Sequence, residues 1–306
     1  MGWVVFFIHP TLARLRPDLS LYPVTVRKTA ITAILVFWGV AACAPETTTT
    51  TTALPTTSTT SSTTIPVSGG PIPCCLTGDQ LFVGSGSLGI LSAGRSDSET
   101  ITRFSWETHD ECERLTIQFN SGGGAPALDP PSGSAMILGD SGVIRITLDR
   151  AITESAVSEH LVSSRFVNKI YVVRSNDETL FVDIHLAEPA LARITSSSSP
   201  AMIRLDLRPD GTKYSTPPIV SDDLVIVQPT TGNISYPFSF LGYTRKSGKI
   251  EATITGETGE VAKASSPVTE RGDTWRAFVL LFPLGPTGAI NVEIEDTVQF
   301  ELTSSP

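Results

Sequence analysis

The sequence predicts an all-β body carried behind a long non-globular leader. From Leu81 onward, short segments rich in β-branched residues alternate apolar with polar side chains. Clusters of Gly, Pro, Asn, Asp and Ser separate these segments at strand-like intervals, and a sustained period of 3.6 is absent. Ahead of them, residues 47–64 read TTTTTTALPTTSTTSSTT, fifteen of the eighteen being Ser or Thr. Such a stretch has no apolar periodicity and forms no core of its own.

The leader comes first. Arg27 and Lys28 precede a stretch, Thr29 to Ala42, that carries no charge and centres on AILVFWGV. As a helix rising about 1.5 Å per residue it reaches only ~21 Å. A bilayer core is about 30 Å thick, so the length suits a signal-peptide apolar region rather than a span. Residues 1–23 do not fit the basic start of such a peptide, since Trp3 to Ile8 form a second apolar patch. A start codon assigned too far upstream, with Val24 or Val26 as the initiator, accounts for them. Residues 1–42 are therefore set aside as signal peptide.

The seam Val40-Ala41-Ala42-Cys43 resembles the lipobox of bacterial lipoproteins, an apolar residue and two small ones before a cysteine. The resemblance implies cleavage before Cys43, acylation of its thiol, and a membrane anchor through that lipid. One acyl chain binds a bilayer marginally, and a diacylglycerol thioether supplies the two chains that stable anchoring needs. The alternative is an ordinary export signal or a short membrane anchor that happens to contain a cysteine. Residues 43–73 are then a tether, with a root-mean-square reach of roughly 30 Å and ~100 Å at full stretch.

Of the 22 basic and 31 acidic residues, four and one respectively lie in residues 1–42, which leaves a net charge of −12 on the remainder. That balance and the lack of a basic stripe exclude nucleic acid as a partner. Cys74, Cys75 and Cys112 would sit in an oxidising compartment, where disulfides persist. Either member of the adjacent pair can bridge to Cys112. A vicinal Cys74–Cys75 bridge is the other option. No second C-x-x-C and no histidine at ligand spacing accompany them, so no metal or other cofactor is expected.

Residues 74–210 form the first expected domain. RLTIQF, GVIRITL, KIYVVRS, TLFVDIHL and MIRLDLR each read as strands, and RSNDET between two of them is a hairpin signal at Asn176-Asp177. SAVSEHLVSSRF (155–166) is either a short helix or a loop. Residues 211–222, within the Pro- and Gly-rich RPDGTKYSTPPIVSDD, read as a linker, because consecutive prolines favour extended backbone. Residues 223–306 resume with LVIVQP, PFSFLGYT, KIEATITG, WRAFVLLF, AINVEIED and VQFELT. Spacing of 8–12 residues is the pattern of a β-sandwich. Phe238 and Phe240 share a face, as do Ile250, Ala252 and Ile254. Trp275, Ala277, Val279 and Leu281 share another, opposite Phe278 and Leu280, and both faces read as sheet core.

Two resemblances attach to these strands. IVQPTTGNISYPFSFLGYTRKSGKIEATITGETGEV, followed by DTWRAFVLLFP and GAINVEIED, is similar to the immunoglobulin-like domain associated with bacterial spore germination proteins. It covers residues 224–304 and implies a seven-stranded sandwich with an interaction role and no catalytic residue. Lys249-Ile250 stands where that family usually has an aromatic. HDECERLTIQF (109–119) and SSPAMIRLDLRP (198–209) resemble the first and closing strands of the AMIN-like domain of actinobacterial lipoproteins, with NKIYVVRSNDETLFVDIHLAEPALARIT as its long hairpin. Glu113 replaces an aspartate of that pattern, and Met202 intrudes before Ile203. The parent AMIN domain targets envelope proteins and implies peptidoglycan binding.

Other motifs point to chemistry and lead nowhere. GSGSLG (84–89) satisfies G-x-G-x-x-G, but a dinucleotide site needs a helix opening at the third glycine, and none is predicted, so it reads as a flexible loop. Ser141 in DSG lacks a nucleophile elbow, and His109, His160 and His185 are scattered, His185 being read as a solvent-facing strand residue. HDECE (109–113) reads as a solvated turn. Arg165, Arg174 and Arg204 are read as surface residues that either contact a wall polymer or are simply solvated.

The sequence therefore predicts a non-catalytic cell-envelope lipoprotein facing the cell wall, whose two β-domains bind wall glycan or an envelope protein. An envelope hydrolase or its activator is the rival from another class. A structural spacer between membrane and wall is the third reading.

Overall fold

The computed structural model describes residues 81–91, 95–109, 112–149, 152–209, 211–269 and 274–305. The readings of the signal peptide, the tether, Cys43, Cys74 and Cys75 lie outside the described residues. Those described are all-β, as expected, and their one helical element is a single 3-10 turn, Gly139–Ser141.

The first lobe begins with β1 (Gly86–Leu91), β2 (Thr100–His109), β3 (Cys112–Asn120) and β4 (Gly133–Ile137). It continues with β5 (Val143–Leu148), β6 (Glu154–Ser155), β7 (Glu159–Leu161) and β8 (Val167–Arg174). β9 (Leu180–Leu186), β10 (Leu191–Ser197) and β11 (Met202–Arg208) close it. One sheet runs β10-β11-β3-β2-β6, and the other begins β1-β4-β5-β9-β8. Their facing sides share one core, in which Ile101, Ile117, Ile146, Ile170, Ile184 and Ile203 are wholly buried. Burying such a side chain is worth about 1.5–3 kcal/mol, so dozens of them hold the two layers together.

The second lobe comprises β12 (Ile219–Val220), β13 (Leu224–Gln228), β14 (Asn233–Ser235), β15 (Phe238–Thr244) and β16 (Gly248–Gly256). β17 (Val261–Val268), β18 (Trp275–Phe282), β19 (Gly288–Ile294) and β20 (Val298–Ser305) complete it. One layer is β14-β20-β19-β16-β17; the other is β18-β15-β13-β12. Phe240, Phe278, Leu280 and Phe282 of the second layer meet Ile250, Ile254, Ile290 and Ile294 of the first.

The two lobes are joined in hydrogen bonding. β18 pairs in parallel with β8 through Trp275↔Val173 and Arg276↔Arg174, which makes β1-β4-β5-β9-β8-β18-β15-β13-β12 one continuous sheet. β7 occupies the rest of that edge of β8, antiparallel. Residues 211–222 are bonded on both sides. The Tyr214 hydroxyl accepts from the Ala190 amide at 3.0 Å, and the Thr216 amide donates to the Asp140 carbonyl at 3.1 Å. The Thr230 hydroxyl donates to the Pro217 carbonyl at 2.9 Å.

Several expectations need correction. Residues 155–166 are neither helix nor plain loop. Ser155 ends β6, and Glu159–Leu161 form β7, because an open edge of β8 offers backbone bonds that an isolated short helix cannot match. GSGSLG is not a loop throughout, since its last residues open β1, with a bulge between Ser87 and Gly89. The RSNDET hairpin exists, but the residue with positive φ is Glu178, at +69°, after the Asn-Asp pair. On β18 the face carrying Phe278 and Leu280 is core, whereas Val279 and Leu281 on the other face are exposed, at 46% and 57%.

Candidate functional site

One group of buried polar and charged residues, Asp183 and His185 with Arg174 and Arg276 behind them, lies at the seam where the lobes meet. Tyr171 and Val173 of β8, Phe181 of β9 and Val143 of β5 pack against Val225 and Val227 of β13, Tyr243 of β15 and Trp275 of β18. All of β9 is buried, so its side chains alternate between the first lobe's core and this seam. The seam-facing positions are Phe181, Asp183 and His185. A strand buried on both faces must give each polar side chain a partner.

The partners are in place. Arg145 donates to both oxygens of Asp183, at 2.8 and 2.7 Å, and its guanidinium lies 4.2 Å from the centre of the Phe181 ring. Burial raises the Asp183 carboxyl even with that guanidinium against it. His185 Nε2 and the Tyr243 hydroxyl are 2.5 Å apart. Burial, reinforced by the charges of Lys169 and Arg145, lowers the imidazole to about 3, so His185 is neutral at physiological pH. Burial likewise pushes the phenols of Tyr171 and Tyr243 upward, so both stay protonated. The Tyr171 ring packs 4.8 to 5.1 Å from the rings of His185, Trp275 and Tyr243.

One carboxylate ties the rim of this cluster. Glu159, on β7, accepts from the Trp275 indole at 3.1 Å, meets the Lys169 ammonium at 3.1 Å and meets the Arg245 guanidinium at 3.0 Å. Burial acts to raise its carboxyl, but these cations and the indole outweigh it and hold the group below its ordinary value. Lys169 also lies over the Tyr171 ring and Arg245 over the Trp275 ring, each at 4.8 Å. Residues 116 positions apart in sequence thus share one hydrogen bond across the lobes. Behind the junction, Arg174 and Arg276 are both buried, with Glu178 between them at 3.8 and 3.6 Å.

Chemically, this arrangement fixes an angle. His185 is held neutral and the Tyr171 and Tyr243 phenols protonated near neutrality, and Glu159 and Trp275 are directed at one another across the lobes.

The singled-out residues fall in separate places. Cys112 is buried and disulfide-bonded, and Cys43, Cys74 and Cys75 lie outside the described residues. His109 faces Glu107 at 3.6 Å, and His160 stacks at 6.5 Å on Phe104. His185 does not face solvent; it is 3% exposed, because its strand is covered on both faces. Glu113 is not in a solvated turn. It is buried, and its carboxylate accepts from the amides of Arg165 and Phe166 at 2.9 and 3.3 Å. Of the three arginines, Arg165 is exposed beside Glu188, Arg204 is half-buried against Ser197 and Met202, and Arg174 is interior rather than surface. The Ser141 hydroxyl donates to the Leu138 carbonyl at 2.6 Å. Among the described residues no group of three or more His, Cys, Asp or Glu side chains could hold a metal ion.

Sequence reasoning missed the seam. The available signal was TLFVDIHL itself, where an acid and a histidine interrupt a run that is otherwise apolar on both faces. Comparison with protein-family models, curated proteins and solved structures returns no match for this chain.

Proposed function

We propose that this chain is an exported, lipid-anchored protein of a bacterial cell envelope, which holds its β-lobes as one stiff body between membrane and wall and binds wall glycan or an envelope protein there. The observation that carries this is an order of features in the sequence: basic pair, short apolar run, Val40-Ala41-Ala42-Cys43, hydroxyl-rich tether, all-β body. Each has a physical use in its place. The lipid supplies retention, the tether supplies reach, and the body supplies recognition surface. The seam supports the same reading, because lobes fixed by Glu159 and the Tyr171–Trp275 cluster present their outer surfaces in constant register.

Retention of residues 65–306 on insoluble cell-wall sacculi at physiological salt tests the ligand. Retention above that of an unrelated acidic β-protein supports wall glycan. Clean elution removes the glycan and leaves the envelope protein partner, to be sought by crosslinking in cells.

A further inference from the structure

Among the described residues the seam is the thinnest join in the fold. Its core has eight buried apolar or aromatic side chains, four from each lobe, against 29 and 16 in the lobes' own cores. Strand pairing across it is confined to Trp275↔Val173 and Arg276↔Arg174. Hydrophobic stabilisation scales with the apolar area covered, so the lobes part at this plane at lower cost than either core opens.

His185 lies on that plane, and its surroundings oppose a second proton on the imidazole. Its neighbours in the strand pairing are Val143 of β5 and Lys169 of β8. The Lys169 ammonium and the Arg145 guanidinium of β5 both act against a charge on the ring. The acids nearby are already engaged. Asp183, two residues along β9, holds Arg145 through both oxygens, and Glu159 of β7 holds Lys169, Arg245 and the Trp275 indole. Tyr171 of β8 offers a ring and Tyr243 of β15 a hydroxyl, while β13 and β18 bring Val225, Val227 and Trp275 to the same core. An imidazolium in this place is buried without a counter-ion of its own. His185 belongs to the first lobe and its partner Tyr243 to the second, so parting the lobes returns the ring to water.

We infer that the seam is an acid-released latch: a proton on His185 parts the lobes from each other while each keeps its own core. The lobes then lose the fixed register that the neutral ring allows. The inference stands on the seam alone and depends on neither the lipid anchor nor the wall ligand. Its sign follows from burial. The closed form holds the imidazole at about 3, and in the open form it regains its ordinary 6.5, so opening takes up a proton. The ratio of open to closed chain therefore rises as pH falls through 6.5, and from pH 7 to pH 5 it rises roughly 25-fold. Glu159, held below its ordinary value, keeps its charge through that window. Asp183 acts in the opposite sense, because burial raises its carboxyl and a proton there favours the closed form. Comparing the parent with His185→Gln cancels that contribution.

Urea unfolding followed by two probes tests it. Trp3→Phe, Trp38→Phe and Trp106→Phe in the full chain, held in detergent micelles, leave Trp275 as the sole tryptophan. Trp275 is wholly buried at the seam, so its fluorescence reports parting, while far-UV circular dichroism reports the strands of both lobes. At pH 7 the two curves should coincide. At pH 5 the fluorescence midpoint should fall below the dichroism midpoint, and acrylamide should quench Trp275 at urea concentrations where the strands persist. His185→Gln should show no acid-dependent separation, so the open-to-closed ratio of parent over variant should change roughly 25-fold between the two pH values. Coincident parent curves at pH 5 overturn the inference, since acid then acts on the whole fold. So does an acid-dependent separation of the same size in His185→Gln, which puts the proton elsewhere. The parent's own curves keep the test decisive if that variant does not fold.

Discussion

Glu159 is the residue on which the seam turns, since one carboxylate meets an indole, an ammonium and a guanidinium from both lobes. Glu159→Gln keeps an acceptor for Trp275 but removes both ion pairs. It should lower stability by about 1–2 kcal/mol in urea unfolding, most of which 1 M salt should leave in place, because the group is largely covered. His185 makes a pH prediction. Its folded value, about 3, lies below the unfolded value of 6.5, so between these the unfolded state binds a proton that the native state does not. Stability is therefore fully present above about pH 6.5 and falls as pH drops, by up to ~1.4 kcal/mol per unit. Urea midpoints from pH 7 to pH 4 check this, and His185→Gln should flatten the slope even if it costs stability at neutral pH. Cys112 adds a redox prediction. If its bridge stabilises the first lobe, reduction should lower that lobe's stability by about 2–4 kcal/mol.

At the scale of elements, the strands were legible where one face is core and the other is solvent. KIEATITG alternates, and Ile250, Ala252 and Ile254 are buried as that alternation requires. Legibility fails where a strand's second face is covered by something distant in sequence. TLFVDIHL and WRAFVLLF both do this, and nothing local tells Trp275 that β7 and Tyr171 will cover it while Leu281, three pleats on, stays wet. The short strands β6 and β7 were illegible for the same reason, since the edges that order them belong to β2 and β8. Close approach of elements is also hidden from sequence. A Cβ on Gly242 of β15 would lie 2.3 Å from the Val225 carbonyl oxygen and 2.6 Å from the Phe278 ring. Gly242→Ala should thus cost several kcal/mol by forcing β13 and β15 apart, with a thermal midpoint lower by more than 10 °C as the check. Trp275→Ala should do something different, which is to loosen the lobes from each other while each core survives.

For the whole molecule, the continuous sheet and the buried seam predict that the lobes unfold together. Calorimetry should give one transition for the parent chain and two for Trp275→Ala. A stiff body of net negative charge on a lipid tether would meet the wall at a distance set by the tether rather than by attraction to anionic headgroups. That account depends first on the anchor at Cys43. Metabolic labelling of the host cell with an alkyne-bearing fatty acid, on the parent chain and on Cys43→Ser, tests it most directly. The account predicts label on the parent in the membrane fraction, and an unlabelled Cys43→Ser chain that retains its longer leader or escapes to the medium. Equal fractionation of both without label on either would contradict it.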